Sequence, residues 1–130
     1  MKFLRKLFGR DTDAEDGEEV EIRLDQEARR QQLQQLEQSL DQLSREMRTC
    51  ESLDNPGWRL RVNEYNRLAG DAMLLRRGEI TREGVLDLVF ELRPLFTGPP
   101  PTGMEHLVPL QESMLATAEQ LRVLSPAERG

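Results

Sequence analysis

One run of apolar residues in the first half of the chain constrains the fold more than any other feature. Its members follow one another at alternating spacings of three and four, which places them on one side of an α-helix as a seam for packing against other helices. They are Leu33, Leu36, Leu40, Leu43, Met47 and Cys50. So short a seam is more typical of a helix in an intramolecular bundle than of a free coiled coil. The alternative is a homodimer through the first five of these residues.

Capping residues mark where three helices are expected to begin. Asp25 can accept a hydrogen bond from the first turn of the seam helix. Asn55 can do the same for a second helix, in which Pro56 would take the first position. Thr81 can cap a third helix, with apolar residues on both sides of the cap that can pack together as a hydrophobic staple. Gly70, inside the second helix, is interpreted as a point of close approach by another helix.

A fourth helix is expected after a proline-rich connector at residues 97–103. It would begin near Met104, or at Pro109, and end near Leu124. The sequence therefore predicts an all-α fold, a small bundle of about four helices at residues 25–124 with a tail at 125–130. Core residues expected on the last three helices are Trp58, Val62, Tyr65, Ala69, Ala72, Met73, Val85, Leu88, Val89, Leu92, Phe96, Leu107, Met114, Leu115, Ala118 and Leu121.

The formal net charge of −6 is distributed unevenly along the chain. Residues 1–10 hold four bases and no acid, whereas residues 11–27 hold nine acids and one base. We call residues 1–10 the basic segment and residues 11–24 the acidic tether, and expect both to be flexible. Apolar and charged residues alternate at 20–24, as in a strand. This stretch is interpreted as an extended entry into the first helix, or alternatively as an edge that pairs with another chain.

The basic segment separates two Phe and two Leu from its four bases when it is drawn as a helix. An interfacial membrane helix has this arrangement, with buried aromatic residues and bases facing anionic headgroups. Alternatively, the segment docks on a groove of a protein partner, or folds back onto its own bundle. The predicted membrane- or partner-binding residues are Lys2, Phe3, Leu4, Arg5, Lys6, Leu7, Phe8 and Arg10.

No group of residues in the sequence predicts catalysis or a cofactor. Cys50 and His106 are the only cysteine and the only histidine, and they lie far apart in the sequence. Cys50 is expected to be a buried apolar residue, and His106 is expected to have no catalytic partner. Acids at positions 83, 87 and 91 share one side of a helix, but no histidine accompanies them as in di-iron bundles. A solvated acidic face is expected there, and no metal.

The function expected from these features is binding rather than catalysis. The arginines of the second helix point in several directions on an acidic chain, so no nucleic-acid surface is expected. No apolar run approaches the ~20 residues that span a bilayer, and no secretory signal is evident. We expect a non-enzymatic adaptor or scaffold, cytoplasmic or at the inner face of the membrane, held there peripherally by the basic segment. The alternative is a soluble regulatory or chaperone-like subunit that docks on a protein partner.

Overall fold

The computed structural model describes residues 22–129, which form four α-helices and one short 3-10 helix. α1 is Gln26–Cys50, α2 is Pro56–Arg77, α3 is Arg82–Val89 and α4 is Leu107–Arg122, and the 3-10 helix is Ala127–Arg129. Residues 22–129 contain no strand, which confirms the predicted all-α bundle of four helices. The basic segment and residues 11–21 of the acidic tether lie outside the described residues.

The predicted caps fix the starts of the first three helices. The Asp25 carboxylate and the Thr81 hydroxyl each accept a hydrogen bond from the backbone N–H of the third helical residue, at 3.1 and 3.0 Å. The Asn55 side chain accepts hydrogen bonds from two N–H groups in the first turn of α2, at 3.1 and 3.3 Å. Pro56 is the first residue of α2, where the helix needs no N–H donor.

α1 lies between α2 and α4, and α3 completes the bundle by contacting both of those helices. The indole N–H of Trp58, at the start of α2, donates to the Met47 carbonyl near the end of α1 at 2.8 Å. At the other end of α1, the Arg29 guanidinium donates to the Leu121 carbonyl at the end of α4 at 3.1 Å. α1 is therefore antiparallel to both α2 and α4.

The α1 seam forms the centre of the core. The five residues from Leu33 to Met47 in the predicted seam are each 0% exposed, and α2 and α4 cover them. They leave no surface for a second copy of the chain, so the homodimer predicted through them would require the bundle to open. Cys50 was predicted to be buried with them, but it is only partly buried because α1 ends at that residue.

The structure differs from the sequence predictions at three places in α2 and α3. No atom of another helix comes within 4 Å of the position where a Cβ would lie on Gly70, so the predicted close helix approach there is wrong. Leu68 is fully buried, whereas Met73, predicted for the core, is only partly buried. α3 ends at Val89, and Leu92 and Phe96 pack on the core from the irregular connector that follows.

α4 begins between the two predicted starts and ends two residues before the predicted one. It spans Leu107–Arg122, so Pro109 occupies its third position. A proline is tolerated there because the first N–H groups of a helix have no partner within the helix. Four of the five residues predicted to face inward are buried, and Leu115 is partly buried against the core.

The folded unit extends beyond the predicted end at residue 124. Glu128, predicted to lie in a tail, is 3% exposed and forms an ion pair with Arg29, which is also 3% exposed. Arg29 Nε donates to Glu128 Oε2 at 2.9 Å, and a second hydrogen bond joins Nη2 to Oε1. The backbone N–H groups of Asp25 and Ser125 also donate to the Glu128 carboxylate, at 2.8 and 2.9 Å. The Arg29–Glu128 pair thus ties residues 125–129 to the start of α1.

Candidate functional site

The side of the bundle formed by α2 and α3 exposes three large apolar residues. Leu60, Leu74 and Phe90 have exposed fractions of 68%, 63% and 67%. Leu60 and Leu74 lie two heptads apart on α2, with Arg67 midway between them. The Arg67 guanidinium reaches Glu91, the residue that follows Phe90. We call the surface formed by these five residues the outer face.

Arg67 joins the two helices at the centre of the outer face. Its guanidinium donates to Asp71 on α2 at 3.0 Å and to Glu91, just after α3, at 2.6 Å. The hydrogen bond to Glu91 is the main reason that the pKa of Arg67 is raised. All three side chains are well exposed to solvent, so water screens these ion pairs. They orient the side chains of the outer face more than they stabilise the fold.

A groove with a volume of about 360 Å³ lies between α2 and α3, beside Arg67. We call it the α2–α3 groove. It combines an apolar floor with three carboxylates, and no basic residue lines it. Its lining residues are Asp71, Leu74, Leu75, Gly84, Asp87, Leu88 and Glu91.

Gly84 allows the first turn of α3 to lie against α2 and so shapes one end of the groove. A Cβ at this position would be 3.0 Å from Leu75 Cδ1 and 3.1 Å from Thr81 Oγ1. A side chain there would therefore require Leu75 and Thr81 to shift by a few tenths of an ångström. With glycine at this position, α3 lies close enough to α2 for apolar residues of both helices to form one continuous floor.

The described chain enters the bundle next to the same end of the groove. The Gln26 side-chain amide donates to the Ile80 carbonyl and accepts from the Ile80 N–H, both at 2.8 Å. Residues 22–24 line a surface depression together with residues 79–82. Gly84, in the groove lining, follows Thr81 by three residues. The acidic tether thus meets the bundle about one helical turn from the groove.

The predicted binding residues of the basic segment have no described geometry. They are Lys2, Phe3, Leu4, Arg5, Lys6, Leu7, Phe8 and Arg10, and all eight lie outside the described residues. Their role stays a prediction. The acidic face predicted on α3 contributes Asp87 and Glu91 to the groove. Among residues 22–129, no group of three metal-binding side chains comes together.

The fold brings Cys50 and His106 together, although no pattern in the sequence pairs them. Cys50 Sγ lies 3.4 Å from His106 Nε2, because the end of α1 meets the segment just before α4. The sulfur also lies 3.4 Å from the Glu46 carbonyl. No described residue forms a hydrogen bond with the other ring nitrogen of His106. The structure thus places a thiol beside an imidazole, and within residues 22–129 no third group orients the ring.

Arg61 and Arg76, also on α2, bond to the chain itself in different directions. Arg61 donates to the Pro94 carbonyl at 2.7 Å and to the Tyr65 hydroxyl at 3.1 Å, while Arg76 donates to Glu37 at 3.0 Å. Tyr65 donates in turn to the Arg93 carbonyl at 2.7 Å, and burial raises its pKa. The contacts of Arg61 and Tyr65 hold the connector after α3 against α2, whereas that of Arg76 joins α2 to α1.

Comparison with models of protein families, with curated proteins and with solved structures finds no match for the chain. Across residues 22–129, none of the helices has the length and apolar character that a membrane span requires. Function is therefore inferred from the basic segment, the outer face and the α2–α3 groove alone.

Proposed function

We propose that this chain is a non-enzymatic helical adaptor held peripherally at an anionic membrane surface by its basic segment. One observation carries the proposal: residues 1–10 combine four bases and no acid with two Phe and two Leu at helical spacing. Such a segment places apolar side chains among the lipid chains and bases among the headgroups. The helical bundle then serves as the body that the segment holds at the membrane.

The expected membrane affinity is weak and reversible. Full burial of a large apolar side chain contributes about 1.5–3 kcal/mol, and interfacial burial contributes less. Each base adds about 1 kcal/mol near an anionic surface, whereas ordering the backbone costs about 1–2 kcal/mol per residue. These terms nearly cancel over ten residues. Binding should therefore depend on anionic lipid and weaken as salt screens the bases.

The start of α1 supports this role because it gives the tether a fixed point of attachment. Three side chains secure it: Asp25 caps the helix, Gln26 bonds to Ile80, and Arg29 bonds to Glu128. The fourteen residues of the acidic tether, at positions 11–24, separate this point from the basic segment. The acidic tether has more acids than bases, so its net negative charge would repel an anionic surface. This repulsion would keep the bundle away from the headgroups.

Vesicle sedimentation tests the proposal. The intact protein should sediment with vesicles that contain phosphatidylserine, and a version lacking residues 1–10 should lose most of this binding. Binding should also fall with Phe3→Ala/Phe8→Ala, which keeps the charge, and with Lys2→Gln/Lys6→Gln, which keeps the apolar side. Phosphatidylcholine vesicles serve as the neutral control. Equal sedimentation of the intact and shortened proteins would show that the proposal is wrong.

The exposed residues of the outer face favour a second candidate function. Leu60, Leu74 and Phe90 are all more than 60% exposed, and exposed apolar groups of this kind often mark a protein interface. In this case the chain is a soluble regulatory or chaperone-like subunit. A protein partner should be recovered with the intact chain and lost with Phe3→Ala/Phe8→Ala or Leu60→Ser/Leu74→Ser. Val123→Ser, at another exposed apolar residue, is the matched control, and no vesicle binding is expected.

A further inference from the structure

We propose that the α2–α3 groove is a docking site for the basic segment of the same chain, which occupies it when no membrane is present. The apolar side chains that would enter the membrane then lie on the floor of the groove, and the bases lie beside its carboxylates. The expected competition between docking and membrane binding rests on the proposed function, whereas the docking itself does not.

The composition of the groove matches that of the segment. Leu74, Leu75 and Leu88 supply an apolar floor, and the volume of about 360 Å³ is at the lower end of the range for binding pockets, about 300–1,000 Å³. It suits one or two large side chains rather than a whole helix. Phe3, Leu4, Leu7 and Phe8 offer such side chains at the spacing of successive helical turns.

Charge favours this occupant over a second copy of the chain. Asp71, Asp87 and Glu91 line the groove, and Arg67 at its edge neutralises only part of their charge. Two copies placed groove to groove would bring like charges together, which disfavours the contact. The basic segment has four bases and no acid. Its charge is therefore opposite to that of the groove.

The tether is long enough for the segment to reach the groove. Residues 22–24 lie beside the start of α3, about one turn from Gly84 in the groove lining. The eleven residues at positions 11–21 span at most about 36–40 Å when extended, and a flexible chain of this length has an average span of about 20 Å. Docking within one chain therefore proceeds at a high effective concentration, in the millimolar range for a short flexible connection.

The groove and an anionic membrane compete for the same side of the basic segment. A chain whose segment is docked cannot insert it, so the apparent membrane affinity equals the intrinsic affinity multiplied by the fraction of chains that are undocked. Substitutions that weaken the docking of the basic segment in the groove should therefore strengthen membrane binding. A partner that occupied the groove would have the same effect.

Photo-crosslinking in the full-length protein tests the docking directly. Phe8 is replaced by p-benzoylphenylalanine, and the cross-linked peptides are identified by mass spectrometry. Without lipid, crosslinks within one chain should map to α2 and α3 around Leu74 and Leu88, and phosphatidylserine vesicles should abolish them. Crosslinks confined to the acidic tether, to other helices or to a second copy of the chain would overturn the docking.

Two charge-reversal variants test whether docking in the groove reduces lipid binding. Asp87→Lys alters an exposed carboxylate in the groove lining. Asp54→Lys makes the same change in the turn between α1 and α2, whereas the groove lies near the other end of α2, a helix about 33 Å long. Asp87→Lys should reduce the crosslinks and tighten binding to phosphatidylserine vesicles about three- to tenfold relative to Asp54→Lys.

The outcomes separate the two proposals. Equal vesicle affinity for the two variants, with no crosslinks in the groove, would overturn the docking and leave the membrane role standing. Crosslinks in the groove with no vesicle binding by any form would support the docking and contradict the membrane role.

Discussion

Glu128→Gln is expected to lower the free energy of unfolding by about 3 kcal/mol at pH 7. Glutamine keeps the size of the side chain but removes the charge opposite Arg29, which is 3% exposed and would remain buried without its counterion. Removing one member of a buried ion pair costs about 3–5 kcal/mol for this reason. Urea unfolding followed by circular dichroism measures the change. Glu119→Gln, which removes an exposed ion pair with Arg122, is the control and should change stability little.

The same pair predicts how stability depends on pH. Hydrogen bonds from Arg29 lower the pKa of Glu128 from 4.5 to about 2, and the N–H groups of Ser125 and Asp25 add to this effect. Because the pKa in the folded state is the lower one, the stabilisation is fully present above about pH 4.5. It is lost as the pH falls from there towards 2. A shift of this size corresponds to about 3 kcal/mol, which agrees with the expected effect of the substitution.

Unfolding curves at several pH values check this origin of the stability. The difference between the wild-type protein and Glu128→Gln should shrink steadily below pH 4.5, because protonation makes the wild-type carboxyl neutral as well. A difference that stayed constant from pH 7 to pH 2.5 would mean that the charge of Glu128 does not stabilise the fold.

The helices were predictable because their signals are local. A cap such as Asn55 bonds to residues two and three positions later, and the α1 seam repeats over a few turns. The Arg29–Glu128 pair joins residues 99 positions apart. Arg29 lies four residues before Leu33, in line with the seam, but an arginine at that position is not expected to be buried, and Glu128 belongs to no apolar pattern. Polar contacts of this kind become visible only when the ends of α1 and α4 are seen together.

The candidate site likewise has one part that the sequence predicts and other parts that only the fold brings together. The basic segment is evident from the sequence because its charge and apolar side chains segregate within ten residues. The α2–α3 groove is not evident, because it forms only where Leu74 and Leu88 from different helices share a floor. Gly84 permits that contact, yet in the sequence it is one glycine among nine. Cys50 and His106 likewise meet only because α1 and α4 are antiparallel.

Leu40→Ala is expected to lower the free energy of unfolding by about 3 kcal/mol, in a way that does not depend on protein concentration. Leu40 is 0% exposed near the middle of α1, which packs on both α2 and α4. Truncating a buried leucine removes its apolar contacts and leaves a cavity, which costs about 2–5 kcal/mol. A domain of this size is stable by only about 5–15 kcal/mol. The substitution therefore removes a large part of the total.

Leu60→Ala makes the same chemical change on the outer face, where the side chain is 68% exposed. Its effect should stay within about 0.5 kcal/mol.

Urea unfolding of both variants over a hundredfold range of protein concentration distinguishes a seam buried within one chain from a seam shared by two. In a dimer whose folding is coupled to association, each tenfold increase in concentration would add about 1.4 kcal/mol to stability. An unfolding midpoint that rose in this way, and a loss of that rise in Leu40→Ala, would mean that the seam pairs two chains. A midpoint independent of concentration is expected, because α2 and α4 already cover the seam completely.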